Sequence, residues 1–366
     1  MNKLKKTIWE VPKELTSPYD IYTSDFRQSS TDTKQCDKIK VISWNLERGY
    51  KKDDIITELK NIDADILILQ ELDIGCERTN FINLPLEIAK SLSLSLIFVP
   101  EFKEFSSPIR PKSNQGGGIH GNALLTKFNY SKIFSVKHTP VFDWNEDKGM
   151  SYQEPREGGR VAVGAIIDTP LGQILTYSTH LEPFGGCKQR QAQIDDVLKS
   201  AQDELSQQQN ESNINKKIVS ILIGGDFNTM LSGIGRLSFY FLPLQPTLSL
   251  NSIKQRRLHH FGHTEAECLD QHIRSWVQGK IDKKQKDDDN AIHPLLQNIT
   301  DPFNKNGSEW TYSAYNGLFQ HKLDFIYYSP QNEYDRKQGL GLRCIEKNIG
   351  TGKESDHQFI TISLAL

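Results

Sequence analysis

Five short clusters of polar residues each adjoin an apolar run: Trp44-Asn45, Gln70-Glu71, Ser178-Thr-His180-Leu-Glu182, Gly224-Gly-Asp226-Phe-Asn228 and Ser355-Asp356-His357. A strand buried on both faces ordinarily ends in a turn. Acids, amides and histidines collected instead at strand ends over a sheet edge occupy the usual active-site position of α/β folds. The set is rich in oxygen donors and has no clustered thiols, which suits a hard cation, Mg²⁺ or Mn²⁺, better than zinc. Two histidines, several carboxylates and asparagine amides around such a cation suit attack of water on a phosphorus centre. No Walker loop, G-x-S-x-G elbow or catalytic-cysteine signature competes with that chemistry.

Taken singly, each residue has a plainer reading. Asp226 and Asn228 fit a turn after a strand, Glu71 a surface carboxylate, and His180 and His357 hydrogen-bonded structural histidines. Gln115-Gly-Gly-Gly118 has the composition of a phosphate cradle, but no helix clearly follows it, so a flexible loop is expected. Arg256, Arg257, His259 and His260 read as a solvated helix face before a nucleic-acid patch. Trp44 reads as packing beneath the site, and Glu182 either as a support for His180 or as a turn cap. The five clusters occurring together outweigh these separate explanations.

The elements that would position the clusters are legible in outline. Strands are predicted at Lys40–Leu46, Asp65–Glu71, Leu96–Pro100, Asn122–Thr126, Arg160–Asp168, Ile174–Leu181, Ile218–Asp226, Leu323–Ser329 and Phe359–Leu366. Helices are predicted at Asp53–Asn61, Leu84–Ser93 and Lys188–Leu205. Thr169-Pro-Leu-Gly is a hairpin signal between two of the strands. Alternating strands and helices followed by hairpins argue for an α/β domain with mixed sheets. Residues 1–37 read as a polar extension and 38–366 as one domain, with an insertion at about 231–301 that lacks strong strands and ends in the charge run Lys283-Lys-Gln-Lys-Asp-Asp-Asp.

Bulk properties narrow the class. The chain has 366 residues, 37% hydrophobic and 25% charged, enough to bury a large core without disulfides. A net charge of −2 gives no global basic field, which disfavours a protein that coats nucleic acid while leaving room for a local patch. The five cysteines (Cys36, Cys76, Cys187, Cys268 and Cys344) are widely spaced without a C-x-x-C, so free thiols in a reducing compartment are expected. Met1–Glu10 carries no apolar run of signal-peptide length and no stretch is long enough to span a membrane, so a cytoplasmic or nuclear location is expected.

The ordered set Trp44-Asn45, Gln70-Glu71, Gly121-Asn122-Ala123-Leu124, Thr179-His180-Leu181, Gly225-Asp226-Phe227-Asn228, Leu323-Asp324-Phe325 and Ser355-Asp356-His357 resembles the endonuclease/exonuclease/phosphatase superfamily. That superfamily includes DNase I, exonuclease III, neutral sphingomyelinases and inositol polyphosphate 5-phosphatases. The likeness runs from Ile39 to the C-terminus apart from the insertion. It implies a DNase I-like four-layer α/β/β/α sandwich, two mixed β-sheets flanked by helices, and a Mg²⁺-dependent hydrolase (with Mn²⁺ as the alternative ion). By position, it implies Glu71 as the principal metal ligand, Asn45 orienting that carboxylate beside the metal, and Asp356 as a direct or water-mediated ligand. Asp226 would position or deprotonate the attacking water, and Asn228 would donate to phosphoryl oxygens. His357 would stabilise the phosphoryl transition state with Asp324 holding its ring. His180, which marks the subgroup related to DNase I and neutral sphingomyelinases, would protonate the leaving oxygen or steady the phosphate. Asn122 and Arg160 would contact substrate.

The bond so implied is a phosphoester. Nuclease-like phosphodiester hydrolysis is the leading reading, with nucleic acid among the candidate partners. Lys103, Arg110 and Lys112 share a loop with Phe102 and Phe105, and Trp310 and Tyr312 form a candidate substrate-side wall. A lipid or inositol phosphate hydrolase is the alternative within the superfamily, and a non-catalytic binding module of the same fold the alternative outside enzymes.

Overall fold

The computed structural model describes residues 17–28, 37–144, 149, 151–152, 154–210, 217–229, 265–284, 292–303, 310–314, 319–331, 337, 339–351 and 353–366. The strands are β1 (Tyr22–Asp25), β2 (Lys38–Asn45), β3 (Ile66–Ile74), β4 (Ser95–Glu104), β5 (Ile119–Thr126), β6 (Asn129–Lys137), β7 (Arg156–Gly158) and β8 (Val161–Thr169). They continue with β9 (Gly172–His180), β10 (Ile218–Asp226), β11 (Tyr312–Ala314), β12 (Phe319–His321), β13 (Asp324–Tyr328), β14 (Arg343–Ile349) and β15 (Ile360–Ala365). The helices are α1 (Lys52–Ile62), α2 (Leu84–Leu92), α3 (Cys187–Asn210), α4 (Glu265–Lys284) and α5 (Pro294–Gln297).

One eight-stranded sheet runs β1-β4-β5-β3-β2-β15-β14, with β7 paired to β4, and a five-stranded sheet runs β13-β10-β9-β8-β6. Both are mixed: β2 with β3 and β9 with β10 are parallel, and the remaining pairs are antiparallel. Side chains alternate across a strand, and that alternation builds the layers. Ile39 and Val41 of β2 join Ile66 and Ile68 of β3 and Leu222 of β10 between the sheets. Ile42 and Trp44 turn the other way, onto Ile55 and Leu59 of α1 and Ile88 of α2. Behind the second sheet, Leu175, Ile221 and Ile223 pack on Ile194, Val197 and Leu198 of α3 and on Leu269 and Ile273 of α4. The result is the expected four-layer α/β/β/α sandwich.

The structure departs from the sequence reading in several places. β1 lies within the polar extension and adds an edge to β4. β6 and β14 are edge strands, half-exposed along much of their length, where the apolar signal is thin. Glu265–Lys284, inside the stretch read as an insertion without strong strands, is a helix docked on α3. Residues 1–16, 29–36, 230–264 and 285–291 lie outside the described residues, as do Arg256, Arg257, His259, His260 and most of the charge run. Gly116 and Gly118 are packed rather than open: a Cβ on Gly116 would meet the Glu104 side chain, and one on Gly118 the backbone of Ile74 and Cys76.

One glycine governs where the site residues fall. Gly225 has φ +152°, and a Cβ there would run into the Thr179 carbonyl of the neighbouring parallel strand. Only a residue without Cβ lets β9 and β10 close up so that Asp226 stands abreast of His180, with Asp324 of β13 on its other side. Gly225→Ala is expected to cost about 2–4 kcal/mol through overpacking and backbone strain. Urea unfolding checks this, and a variant as stable as wild type would show that the two strands do not need that closeness.

Candidate active site

The polar clusters converge at one edge where the two sheets meet. Asn45 ends β2, and its Nδ2 donates both to Glu71 Oε1 (3.1 Å) and to Asp226 Oδ2 (2.9 Å). Glu71 sits in a β-bulge of β3, where the register against β5 shifts between Leu69 and Leu72, and has φ +57°. Asn228 is at φ +49° just beyond β10, and its backbone N–H donates to Asp226 Oδ1 (2.8 Å). Positive φ at non-glycine residues is strained, and such strain gathers at functional sites. His180 Nε2 lies 3.5 Å from Asp226 Oδ2 and 3.9 Å from Glu71 Oε1. From the other side, His357 Nε2 lies 3.7 Å from Asp226 Oδ2 and 4.0 Å from Asp356 Oδ1.

Asp324 Oδ2 takes the Nδ1 side of His357 at 2.9 Å. Trp44 is fully buried, as expected of packing beneath the site, and its indole N–H donates to the His357 carbonyl (3.1 Å). Ser355 Oγ donates to the Asn45 carbonyl (2.8 Å), tying the Asp356–His357 loop to β2. Tyr312 lies beside His357, ring centroids 5.1 Å apart. Trp310 is half-buried, consistent with a wall there.

The electrostatics separate the groups. Burial opposes charge on the His357 ring, yet Asp324, Asp226 and Asp356 together hold its pKa well above the ordinary value. Burial raises the Asp226 carboxyl, Asp324 adds to it, and His357 and His180 pull the other way. Asp356 and Glu47 are raised by burial and by neighbouring carboxylates. For Glu71 burial works against ionisation, but His180, His120, Arg48 and the Asn45 hydrogen bond hold it well below the usual carboxylate range. Carboxylate oxygens gathered beside imidazoles can take a divalent cation. Among the described residues two groups bring ligand atoms within 4.8 Å of one another, Glu71 with His120 and His180, and Asp226 with Asp324 and His357.

Behind the site lies a buried charge network that the sequence reading missed. Arg78 pairs with Asp73 (2.7 Å) and Glu104 (2.6 Å), and Arg110 with Glu104 and with Glu154 (3.1 Å). Arg48 reaches Glu154 (3.1 Å) and comes within 3.8 Å of Glu71, and Arg156 pairs with Glu182 (2.7 Å). Arg110 and Phe102 of the loop read as a basic, aromatic strip therefore point inward. His120 rests on Asp73 (2.9 Å) and, with Glu71 and His180, offers ligand atoms within 4.8 Å of one another. A histidine directly before Gly121-Asn122, in an otherwise apolar strand, was the available signal. Phe142, Trp144, Tyr152 and Phe184 form an aromatic cluster beside this network, with Arg156 stacked 3.6 Å over Trp144.

Two expected substrate contacts fall elsewhere. Asn122 is fully buried, and its Nδ2 is spent on Glu101 Oε1 (3.2 Å) and the Val161 carbonyl (2.8 Å). Arg160 is buried too and turns inward to Glu101 and His180. Asn122, on the same face of β5 as Leu124, points into the layer between the sheets, whereas Arg160 lies just before β8 and is drawn inward by Glu101 and Glu182. Asn228 reaches the site, with one amide hydrogen on the Leu181 carbonyl (2.8 Å) and a second left over. Glu182 does not touch His180; it pairs with Arg156 and receives the Phe184 N–H (3.4 Å). Arg190 clamps the following loop through the carbonyls of Glu182 (2.9 Å) and Gly185 (2.8 Å), and is itself held by Glu265 of α4.

His138 supports this edge from below, its Nε2 2.8 Å from Thr179 Oγ1. Burial pushes its pKa down to about 4 from 6.5. A base depressed in the folded state stabilises the fold fully above about 6.5, and that stability drains as pH falls toward 4, because the unfolded chain takes the proton first. His138→Gln keeps a hydrogen-bonding atom there without the titration. Between pH 6.5 and 4 the wild type is expected to lose ~3 kcal/mol more than the variant. Parallel pH curves in chemical denaturation would contradict this.

Comparison with known proteins agrees with this geometry. The chain matches no curated protein. Three solved structures share its fold: an endonuclease/exonuclease/phosphatase from Beutenbergia cavernae DSM 12333 (14% identity, 90% of this chain and 72% of that one, TM-score 0.52), one from Bacteroides vulgatus (12%, 90% and 99%, 0.53) and the human Nocturnin catalytic domain with bound sulfate anion (17%, 95% and 99%, 0.50). The model of the Endonuclease/Exonuclease/phosphatase family, whose members are generally divalent-metal-dependent hydrolases of phosphoesters, matches residues 42–357, and the chain belongs to that family.

Proposed function

We propose that this chain is a Mg²⁺-dependent phosphodiesterase that cleaves by attack of water on phosphorus, with Mn²⁺ accepted by the same donors. The observation that carries this reading is the pair Glu71 and Asp226, one from each sheet, joined by the Asn45 amide and faced by two imidazoles. Glu71, Asn45 and Asp356 would hold the cation. When bound, it supplies charge neutralisation to the phosphoryl oxygens and the leaving oxygen. Asp226, as a carboxylate whose proton affinity burial raises, takes the proton of the attacking water as the new P–O bond forms. The bond to the leaving oxygen then breaks, and that oxygen takes up a proton from solvent. His357, charged and oriented by Asp324, stabilises the extra negative charge on phosphorus, and Asn228 offers its remaining amide hydrogen.

A diester is favoured over a terminal phosphate or polyphosphate by the arginines. Arg48, Arg78, Arg110, Arg156 and Arg160 each already face a carboxylate, so none is a spare guanidinium for a dianion. A lipid phosphodiester is the second reading, favoured by the half-buried aromatic cluster of Phe142, Tyr152 and Phe184. The same reading takes residues 38–366 as one catalytic domain with an insertion at about 231–301, preceded by the extension 1–37. Among the described residues Cys76, Cys187, Cys268 and Cys344 form no disulfide, and the same reading takes a reducing, cytoplasmic or nuclear setting. Among the described residues no helix is long and apolar enough to cross a membrane.

The test is a substrate panel of bis-p-nitrophenyl phosphate, single- and double-stranded DNA, RNA, sphingomyelin and an inositol polyphosphate, with Mg²⁺ or EDTA. Turnover of at least one diester is expected to need Mg²⁺ and to fall on the order of 10³-fold in Glu71→Ala, with the circular dichroism spectrum unchanged. Undiminished activity in that variant would sink the metal assignment, and preference for the inositol polyphosphate would sink the diester reading.

A further inference from the structure

Arg160 Nη1 donates to two acceptors, Glu101 Oε2 and Nδ1 of His180, each at 2.8 Å. A guanidinium only donates, so the Nδ1 it meets must offer a lone pair. Neutral imidazole then carries its single N–H on the other nitrogen, Nε2. That nitrogen faces two acceptors, Asp226 Oδ2 at 3.5 Å and Glu71 Oε1 at 3.9 Å. His120 is arranged the opposite way. Its Nδ1 gives its hydrogen to Asp73 Oδ1 (2.9 Å), so the lone pair is on the Nε2 side.

Glu71, His120 and His180 thus hold the spacing of a two-histidine, one-carboxylate transition-metal site. His120 and Glu71 offer lone pairs to it, whereas His180 offers a hydrogen. We infer that Arg160 is a positioning residue that locks His180 as the Nε2–H tautomer, making His180 a hydrogen-bond donor to the phosphoryl group and closing the Glu71–His120–His180 cluster to zinc-like cations. Glu101 makes the lock reversible by mutation. Its Oε2 lies 3.6 Å from His180 Nδ1, and without Arg160 it is the acceptor that would draw the hydrogen to Nδ1 and bare Nε2.

The experiment uses full-length, metal-free protein labelled with ¹⁵N-histidine, His180 being assigned by loss of its signals in His180→Gln. Long-range ¹H–¹⁵N correlation of the neutral ring is expected to show an unprotonated Nδ1 in wild type and in Arg160→Lys, which keeps a donor. In Arg160→Met the proton is expected on Nδ1. Titration with Co²⁺ alone is expected to give a strong tetrahedral-type visible spectrum in Arg160→Met, with ~10–100-fold tighter binding than in wild type. Nδ1–H in wild type, or a tetrahedral Co²⁺ spectrum in wild type, would overturn the inference even if Arg160→Met failed to fold. Neither readout depends on the phosphodiesterase reading. If hydrolysis is found, kcat should fall ~10²–10³-fold in Arg160→Met with KM little changed, and Arg160→Lys should recover most of it.

Discussion

Two carboxylates that repel one another, Glu71 from the first sheet and Asp226 from the second, are held side by side through the Asn45 amide. Everything else at the edge is arranged around that contact. Asn45 is fixed because it ends β2, whose next-to-last residue, Trp44, is locked into the core and grips the His357 carbonyl. Asp226 is fixed because Gly225 lets its strand close onto β9, which aligns His180 beside it. The two sheets pack tightly nearby: a Cβ on Gly224 would meet Ile68 of the opposite sheet. An amide suits the bridge because it donates without adding charge, leaving the negative field of the acids available to a divalent cation.

Holding so many acids in place requires compensating positive charge that does not reach the substrate. The arginines at positions 48, 78, 110, 156 and 160 provide it from behind, each paired with carboxylates. Buried ion pairs of this kind add little net stability, but removing one partner strands a charge and costs several kcal/mol. Their contribution here is geometric. They fix Glu101, Glu154 and Glu182, and through Arg160 they fix the His180 ring. The positive φ values of Glu71, Arg48 and Asn228 belong to the same economy, since strained backbone persists only where surrounding packing over-determines it.

The apolar strands were the most legible part of the fold. β3, β5, β8, β9 and β10 are buried over most of their length, so their sequences are apolar on both faces and announce themselves. β6 and β14 lie at sheet edges with half-exposed or exposed residues, where one apolar face is mixed with lysines and serines. α4 was hidden for a related reason: among its described side chains the buried apolar ones are Ala266, Leu269, Ile273 and Val277, set among charged residues, a stripe hard to read without knowing that α3 lies opposite.

The sequence by itself determined the chemistry of the site's inner ring. Asn45, Glu71, His180, Asp226, Asn228, Asp324, Asp356 and His357 all stand next to apolar runs, and that local signal is written in consecutive residues. Only the tertiary structure decided which way the polar residues at such positions face. Asn122 and Arg160 carry the same kind of signal but turn inward, Asn122 because its face of β5 looks into the layer between the sheets and Arg160 because Glu101 and Glu182 pair with it there. His120, Asp73 and Arg48 acquire their positions from strands and turns far apart in the chain, and which nitrogen of His180 bears its hydrogen depends on an arginine twenty residues away. Residue type sets what a side chain can donate or accept, but its partner is chosen by packing between distant segments, which no short run of sequence contains.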